Sequence, residues 1–280
     1  MSKMLKTALI LLLIGAILVG IAFAMGYDLL NFGIGDSYYK HTMKEMKIED
    51  LKELDIDVTL VDLEIVESES GNSLLVYPEF EDEKIKLDIN NDAEKLTITQ
   101  DYRGLNLNVG IKRLPNMGIK RLPTVKLELA KGTELDKMSI KSDMGTTKTS
   151  KIIAKSGKVE LNMGQYKSSH DYLTDFTIET DMGESTFDST KLTNVDASSN
   201  MGSVNGSIIP DGNLKFSADM GSVEIDILEG VKYSYLVDSN MGEVSVNGRE
   251  IQKGVRQNSE HDKVNIEATT KMGSVSLRDK

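Results

Sequence analysis

After residue 110 the dipeptide Met-Gly occurs eight times in this chain of 280 residues, and its spacing constrains the fold more than any other feature. The intervals between successive methionines are 27, 19, 19, 19, 19, 21 and 31 residues. Four identical intervals define an internal repeat, whose units are too small to fold alone and must stack on one another. The first pair begins at Met117, and the seven later pairs are Met144-Gly145, Met163-Gly164, Met182-Gly183, Met201-Gly202, Met220-Gly221, Met241-Gly242 and Met272-Gly273.

Apolar residues alternate on both sides of each Met-Gly pair, which predicts β-strands. Leu214 and Phe216 precede Met220 by six and four residues, and Val223 and Ile225 follow it by three and five. The inward parity therefore changes at the pair. Because a straight strand keeps one parity, one residue must lie in a bend, and glycine in a left-handed conformation suits that position. Each unit is predicted to be a strand, a Met-Gly corner and a second strand.

Two all-β architectures fit this pattern. In a β-solenoid, each 19-residue coil contributes two short strands, and equivalent residues stack about 4.8 Å apart. In an antiparallel β-meander or sandwich, Met-Gly lies in a hairpin turn with a glycine bulge. We favour the solenoid, because the methionines can then line an inner column where their flexible thioethers fill gaps.

An apolar segment stands near the N-terminus. Residues 7–25 contain no charge and follow Lys3 and Lys6. A helix of this length spans about 28 Å, close to the thickness of a bilayer's hydrocarbon core. The lysines favour a cytoplasmic N-terminus, so we predict a single-pass transmembrane helix with everything C-terminal to it outside the cell. A signal peptide cleaved near Ala22-Phe23-Ala24 is the alternative.

The chain divides into four predicted parts. Residues 1–26 are the cytoplasmic tip and anchor, and 27–48 are a juxtamembrane spacer with a weak helical tendency over 39–46. Residues 49–110 form an all-β lead-in, in which Ile56–Leu60 and Ile85–Ile89 alternate between apolar and polar residues. Residues 111–280 hold the repeats.

Composition narrows the function. The formal net charge is −11, and the first 26 residues hold two lysines and no acid, so the exported part carries −13. Such an acidic surface argues against nucleic acid as a partner and suits a cationic peptide or another envelope component. The chain has no cysteine, which excludes disulfides, thiolate metal sites and cysteine nucleophiles.

The N-terminal anchor, the alternating lead-in over 51–99 and the tandem strand–turn repeats closed by glycine resemble the LiaG-like "putative adhesin" β-strand-repeat proteins of Gram-positive bacteria. This chain has Asp/Asn-Met-Gly-Ser/Glu where that family usually has Ser-Gly-Asp or a similar motif. The resemblance implies an envelope-associated protein, in some cases linked to envelope stress sensing. It carries over no catalytic residue and no cofactor.

Two further patterns are candidate sites. The residue before Met alternates between Asn and Asp, which predicts either a cation-binding ladder with Asp143, Asp181 and Asp219 as ligands or an amide ladder that keeps like charges apart. We favour the amide ladder. The sequence Ile-Lys-Arg-Leu-Pro occurs twice and could contact anionic lipid or wall polymer through four basic side chains, Lys112, Arg113, Lys120 and Arg121.

The three histidines, His41, His170 and His261, have no companion at metal-ligand spacing. Ser169-His170-Asp171 is contiguous, which is not the geometry of a catalytic triad. We therefore predict a non-enzymatic, membrane-anchored binding or sensory module of the bacterial envelope, similar to an adhesin. A structural scaffold and an enzyme acting on wall polysaccharide are the alternatives.

Overall fold

A computed structural model describes residues 41–81, 85–102, 122–257 and 263–280, and all regular structure in these residues is β-strand. The prediction of an all-β fold after the N-terminal segment is confirmed for these residues. The predicted anchor, most of the spacer, the first Met-Gly pair, both basic segments and His261 lie outside the described residues.

Twenty strands join one open sheet. The first ten are β1 His41–Ile48, β2 Glu53–Leu60, β3 Asp62–Glu67, β4 Ser73–Phe80, β5 Ile85–Asp92, β6 Lys95–Tyr102, β7 Thr124–Leu129, β8 Glu134–Leu135, β9 Lys137–Ser150 and β10 Ile153–Ala154. The other ten are β11 Gly157–Ser169, β12 Tyr172–Met201, β13 Val204–Met220, β14 Val223–Ile227, β15 Tyr233–Met241, β16 Val244–Val246, β17 Arg249–Glu250, β18 Val255–Gln257, β19 Val264–Met272 and β20 Val275–Asp279.

Strand pairing follows the 19-residue repeat. Met144 pairs with Met163, and Met163 with Met182, in parallel register. After the corner, Val204 pairs with Val223 at the same separation, again in parallel. Solenoid and sandwich are both compatible with this open sheet, and the solenoid stays our interpretation of the parallel register.

The lead-in continues the same stack. Strand β2 pairs in parallel with β9, so that Ile56 lies beside Ile140 and Leu60 beside Met144. Strand β3 pairs in parallel with both β7 and β9. The weak helical tendency over 39–46 is wrong for its described part, because residues 41–48 form β1 and pair along their whole length with β4. Backbone pairing to a neighbouring strand outweighs local propensity there.

The C-terminal strands enter the stack out of sequence order. Strand β19 pairs in parallel with β13 on one side and with β15 on the other. Met272 therefore lies between Met220 and Met241, although it comes last in the sequence. The irregular intervals of 21 and 31 residues reflect this insertion.

The core consists of columns of equivalent residues, one from each coil. The column four residues before Met is fully buried and varies in side-chain type: Ile140, Val159, Ile178, Ala197, Phe216, Ala268 and Val237. Tyr166 and Phe187, which follow their corners, and Phe216, which precedes its corner, form an edge-to-face aromatic series with ring centroids 6.3 and 6.4 Å apart. The predicted change of inward parity across Met-Gly is present in these columns.

The prediction that the methionines line an inner column is wrong. The inner side of each corner is occupied by the residue two before Met, as with Ser199, whose hydroxyl donates to the Gly183 carbonyl at 3.2 Å. Ser239 and Thr270 make the same bond to other corner glycines, at 2.9 and 3.0 Å. The chain then turns at glycine, and the methionine side chain is left on the outer side of the bend.

The corner glycines adopt the conformation that the repeat predicts. Gly221 has a φ of +151°, a region that side chains other than glycine rarely enter. A Cβ atom at Gly221 would also overlap the carbonyl oxygen of Gly202 in the neighbouring coil. Glycine is therefore required both for the turn and for the close approach of stacked corners.

Candidate binding surfaces

A column of methionines runs along the outer side of the corners. We call it the methionine column, and its order in space is Met144, Met163, Met182, Met201, Met220, Met272 and Met241. Met144 is half-buried, and the other six side chains are between 41% and 61% exposed. Strand spacing places successive members about 4.8 Å apart. A row of large apolar side chains in solvent is unusual, because such residues normally fill the core.

A polar ladder lies beside the methionine column. Asn162 donates its side-chain amide to Asp143 at 2.6 Å, and Asn200 donates to Asp181 at 2.6 Å. The next carboxylate, Asp219, accepts from Lys271 at 2.6 Å, because β19 is inserted above it. Each carboxylate is thus matched to a donor on the neighbouring coil, which is the arrangement of the favoured amide ladder.

The alternative role of Asp143, Asp181 and Asp219 as cation ligands stays a prediction. In the part of the chain that the structure describes, no group of three or more His, Asp or Glu residues is arranged to hold a metal ion. The three carboxylates are separated from one another by the intervening coils that carry Asn162 and Asn200.

A second polar ladder lies at a different turn of the repeat, and the sequence analysis did not predict it. Asn194 donates to Asp175 at 3.1 Å, the Asn213 backbone N–H donates to the Asn194 side chain at 3.1 Å, and Asn265 donates to Asn213 at 3.0 Å. The first three positions are 19 residues apart, so the same spacing rule could have found them. The fourth is supplied by the inserted β19.

The second ladder borders an open groove of about 1060 Å³. Lys215 and Asp196 line it as an ion pair at 3.7 Å, and Tyr235 and Arg256 contribute from β15 and β18. We call this surface the polar groove. Its described lining is Asp175, Phe176, Thr177, Asn194, Val195, Asp196, Asn213, Leu214, Lys215, Ser234, Tyr235, Leu236, Arg256, Asn265, Ile266 and Glu267.

Asp171 is fully buried and serves the core. Its carboxylate accepts from the hydroxyls of Thr149 and Ser168 at 2.5 and 2.6 Å and from the backbone N–H of Ile152 at 2.8 Å. Burial raises the pKa of Asp171, although these donors oppose the shift. The Thr149 hydroxyl also contacts the buried Tyr166 hydroxyl at 3.1 Å, which completes the network.

The side chains of the contiguous residues Ser169, His170 and Asp171 lie in different environments. The Ser169 hydroxyl lies 2.9 Å from Nδ1 of His170 on the surface, whereas Asp171 points into the core network. His170 occupies a left-handed turn with a φ of +56°. The three side chains therefore do not form one site.

The predicted anchor and the four basic residues lie outside the described residues, so the roles proposed for them stay predictions. Among residues 41–81, 85–102, 122–257 and 263–280, no helix is long and apolar enough to cross a bilayer.

These features define an all-β repeat protein with registered columns of side chains along its outer faces. Among solved structures it is similar to a putative cell adhesion protein from Clostridium sporogenes, at 14% identity over 86% of this chain and 100% of that chain, with a TM-score of 0.37. It is also similar to a putative adhesin from Bacteroides fragilis, at 10% identity over 89% and 100%, TM-score 0.33. A putative lipid binding protein from Parabacteroides distasonis matches at 15% identity over 88% and 99%, TM-score 0.32.

No protein-family model and no curated protein matches the chain. The resemblance to the LiaG-like family stays a prediction.

Proposed function

We propose that the chain is an adhesin-like, non-catalytic binding module of the bacterial envelope, anchored through residues 7–25 and exposing its repeats outside the cell. The observation that supports binding is the polar groove, where a ladder of amide and carboxylate groups lies beside an ion pair, an aromatic ring and a guanidinium. Concave surfaces with convergent polar groups are the usual location of ligand sites.

The groove suits an elongated, hydroxyl-rich polymer such as an envelope polysaccharide. Amide groups of Asn194, Asn213 and Asn265 offer both donors and acceptors, and each hydroxyl of a sugar can use both. The groups recur at the spacing of neighbouring strands, about 4.8 Å, so that one chain can contact several strands in succession. Tyr235 offers a surface on which a sugar ring can stack.

Binding to isolated cell walls tests this function. Purified full-length protein is sedimented with cell-wall sacculi, and the bound fraction is compared with that of an Asn213→Ala/Arg256→Gln variant. We expect the variant to bind about tenfold more weakly, the loss typical of one or two hydrogen bonds that involve a charged group. The matched control is Asn162→Ala/Arg249→Gln, which changes an exposed ladder asparagine and an exposed arginine away from the groove.

If the groove variant sediments with the cell-wall sacculi as well as wild type does, the groove is not the binding site. Cell fractionation and N-terminal peptide sequencing test the anchor separately. If the N-terminal helix is not cleaved, the native protein should fractionate with membranes and should retain its first residues.

A further inference from the structure

We propose that the methionine column is a thioether site for a soft monovalent metal ion, Cu(I), and that adjacent coils supply the sulfur ligands of each ion. This site is separate from the polar groove and does not depend on the function proposed for it.

The identity of the side chains in the column is the first argument. The seven described corners of the repeat region carry methionine, and the corner of the lead-in has Leu60 at this position. The fully buried column four residues before Met contains Ile, Val, Ala and Phe. Packing constrains a buried position more tightly than an exposed one. Strict repetition at the exposed position therefore needs a reason other than burial. A purely apolar contact would accept leucine or valine, which the chain uses freely elsewhere.

The chemistry of the side chain is the second argument. Thioether sulfur is a soft ligand, and it selects Cu(I) over the harder divalent ions that carboxylates prefer. The methionine side chain has three rotatable bonds, so an exposed one can reorient its sulfur without disturbing the core. The chain has no cysteine that would compete as a thiolate ligand.

The spacing of the column is the third argument. Neighbouring strands lie about 4.8 Å apart. A metal–sulfur bond of about 2.3 Å allows two sulfurs on one ion to be at most about 4.6 Å apart, and closer when three sulfurs bind. The spacing of adjacent coils, such as those of Met182 and Met201, is therefore close to the separation that one ion requires of two sulfurs, and rotation about the three side-chain bonds can bring the sulfurs together. Seven sulfurs used two or three at a time accommodate two or three ions.

The charge beside the column is the fourth argument. In the seven units, the residue before Met and the residue after Gly include five acids and one base: Asp143, Asp181, Asp219, Glu184, Glu243 and Lys271. The surrounding negative charge favours a bound cation. Methionine is neutral at every pH, so these carboxylates balance the charge of the ion without ligating it.

Anaerobic competition with a chromophoric Cu(I) chelator such as bicinchoninate tests the proposal on the purified full-length protein. We expect wild type to withdraw two or three equivalents of Cu(I) from the chelator. A variant with leucine at all seven column positions should retain at most a tenth of this capacity. X-ray absorption of the loaded wild type should show a shell of two or three sulfur atoms.

Two further variants keep the test decisive. Met182→Leu/Met201→Leu changes only the centre of the column and is expected to lower the capacity by about one equivalent, should the sevenfold variant fold poorly. Met43→Leu alters a methionine that is 50% exposed but lies outside the column, and it should bind as wild type does. Leucine keeps the apolar surface, so only sulfur chemistry separates these proteins. A wild type that leaves Cu(I) with the chelator, or column variants that bind as well as wild type, would overturn the proposal.

Discussion

Asp171 shows how burial decides the role of a single residue. In the sequence it belongs to a Ser-His-Asp triplet, but alternation along the strand cannot reveal that its carboxylate points inward. The fold surrounds it with two hydroxyls and one backbone N–H, and it is 0% exposed. Because the three residues are contiguous, the sequence alone is enough to reject a catalytic triad. It does not reveal the buried hydrogen-bond network, because the partners Thr149 and Ile152 come from the neighbouring coil.

Substitution of Asp171 should separate loss of hydrogen bonds from loss of charge. Asp171→Leu removes the carboxylate to which the hydroxyls of Thr149 and Ser168 donate and leaves the N–H of Ile152 buried without an acceptor, so we expect it to lower the free energy of unfolding by about 3–5 kcal/mol. Asp171→Asn keeps the shape and one acceptor and should lose less. Chemical denaturation of the full-length proteins measures both.

The stability of wild type relative to Asp171→Asn should depend on pH, and the direction of the change follows from the direction in which the pKa of Asp171 is shifted. Burial raises the pKa of Asp171 in the folded state above its unfolded value. Its stabilising contribution is therefore fully present below the unfolded pKa and is lost as the pH rises through the folded pKa. Relative to Asp171→Asn, wild type should gain stability between pH 7 and pH 4. A Leu variant as stable as the Asn variant, or a difference that does not change with pH, would contradict this account.

At the scale of the element, the repeat predicts how the strands pair and where they bend. The 19-residue interval predicts strands that pair with their equivalents, and the change of parity predicts a glycine bend; both are present in the structure. The outward direction of methionine was not predictable in the same way. A parity change shows that one residue is spent in the bend, but it does not show on which side of the bend the residue before glycine lies.

The ladder beside the methionine column predicts the effect of a new charge. Asn200 lies between Asp181 and Asp219 in the stack of coils, and it donates to Asp181 at 2.6 Å. Asn200→Asp removes this donor and places a carboxylate about 4.8 Å from its neighbours. For exposed charges in water each such contact costs about 1 kcal/mol. We expect a lower melting temperature at pH 7 and partial recovery on acidification towards pH 4, because protonation removes the repulsion.

Asn200→Ser is the control for this substitution, since it removes the amide without adding charge. The difference between the Asp and Ser variants isolates the electrostatic part, which should shrink as salt is added because the site is exposed. Identical melting temperatures for the two variants across this pH range would mean that the carboxylates do not sense one another along the column.

At the scale of the whole molecule, the order of the stack differs from the order of the sequence. A regular repeat predicts that each coil packs on the coil before it, and by that rule Met241 would lie on Met220. The structure instead inserts β19 between β13 and β15. Pattern alone could not predict this, because the strands before and after the insertion have the same alternation and accept either neighbour.

The insertion makes β15 dependent on the residues that follow it in the chain. Strand β15 has β19 as its parallel partner, and its other pairing is with the short antiparallel β18. Deletion of residues 264–280 from the full-length protein should therefore expose the backbone amides of β15 and β16 to hydrogen exchange. Strands β9, β11 and the first half of β12 pair with one another elsewhere and should keep their protection, which makes them an internal control.

The outcome distinguishes two ways of ending a repeat stack. If coils packed in sequence order, β15 would rest directly on β13, and removal of the last strands would uncover only the outermost edge. In the observed order, the same deletion removes an interior layer, so that β13 and β15 both lose a partner and the apolar columns are interrupted. Because neighbouring interfaces supply most of the stability of a repeat protein, the loss should reach every residue C-terminal to β14. Continued protection of β15 in the deletion variant would show that it can pack on β13 without the inserted strand.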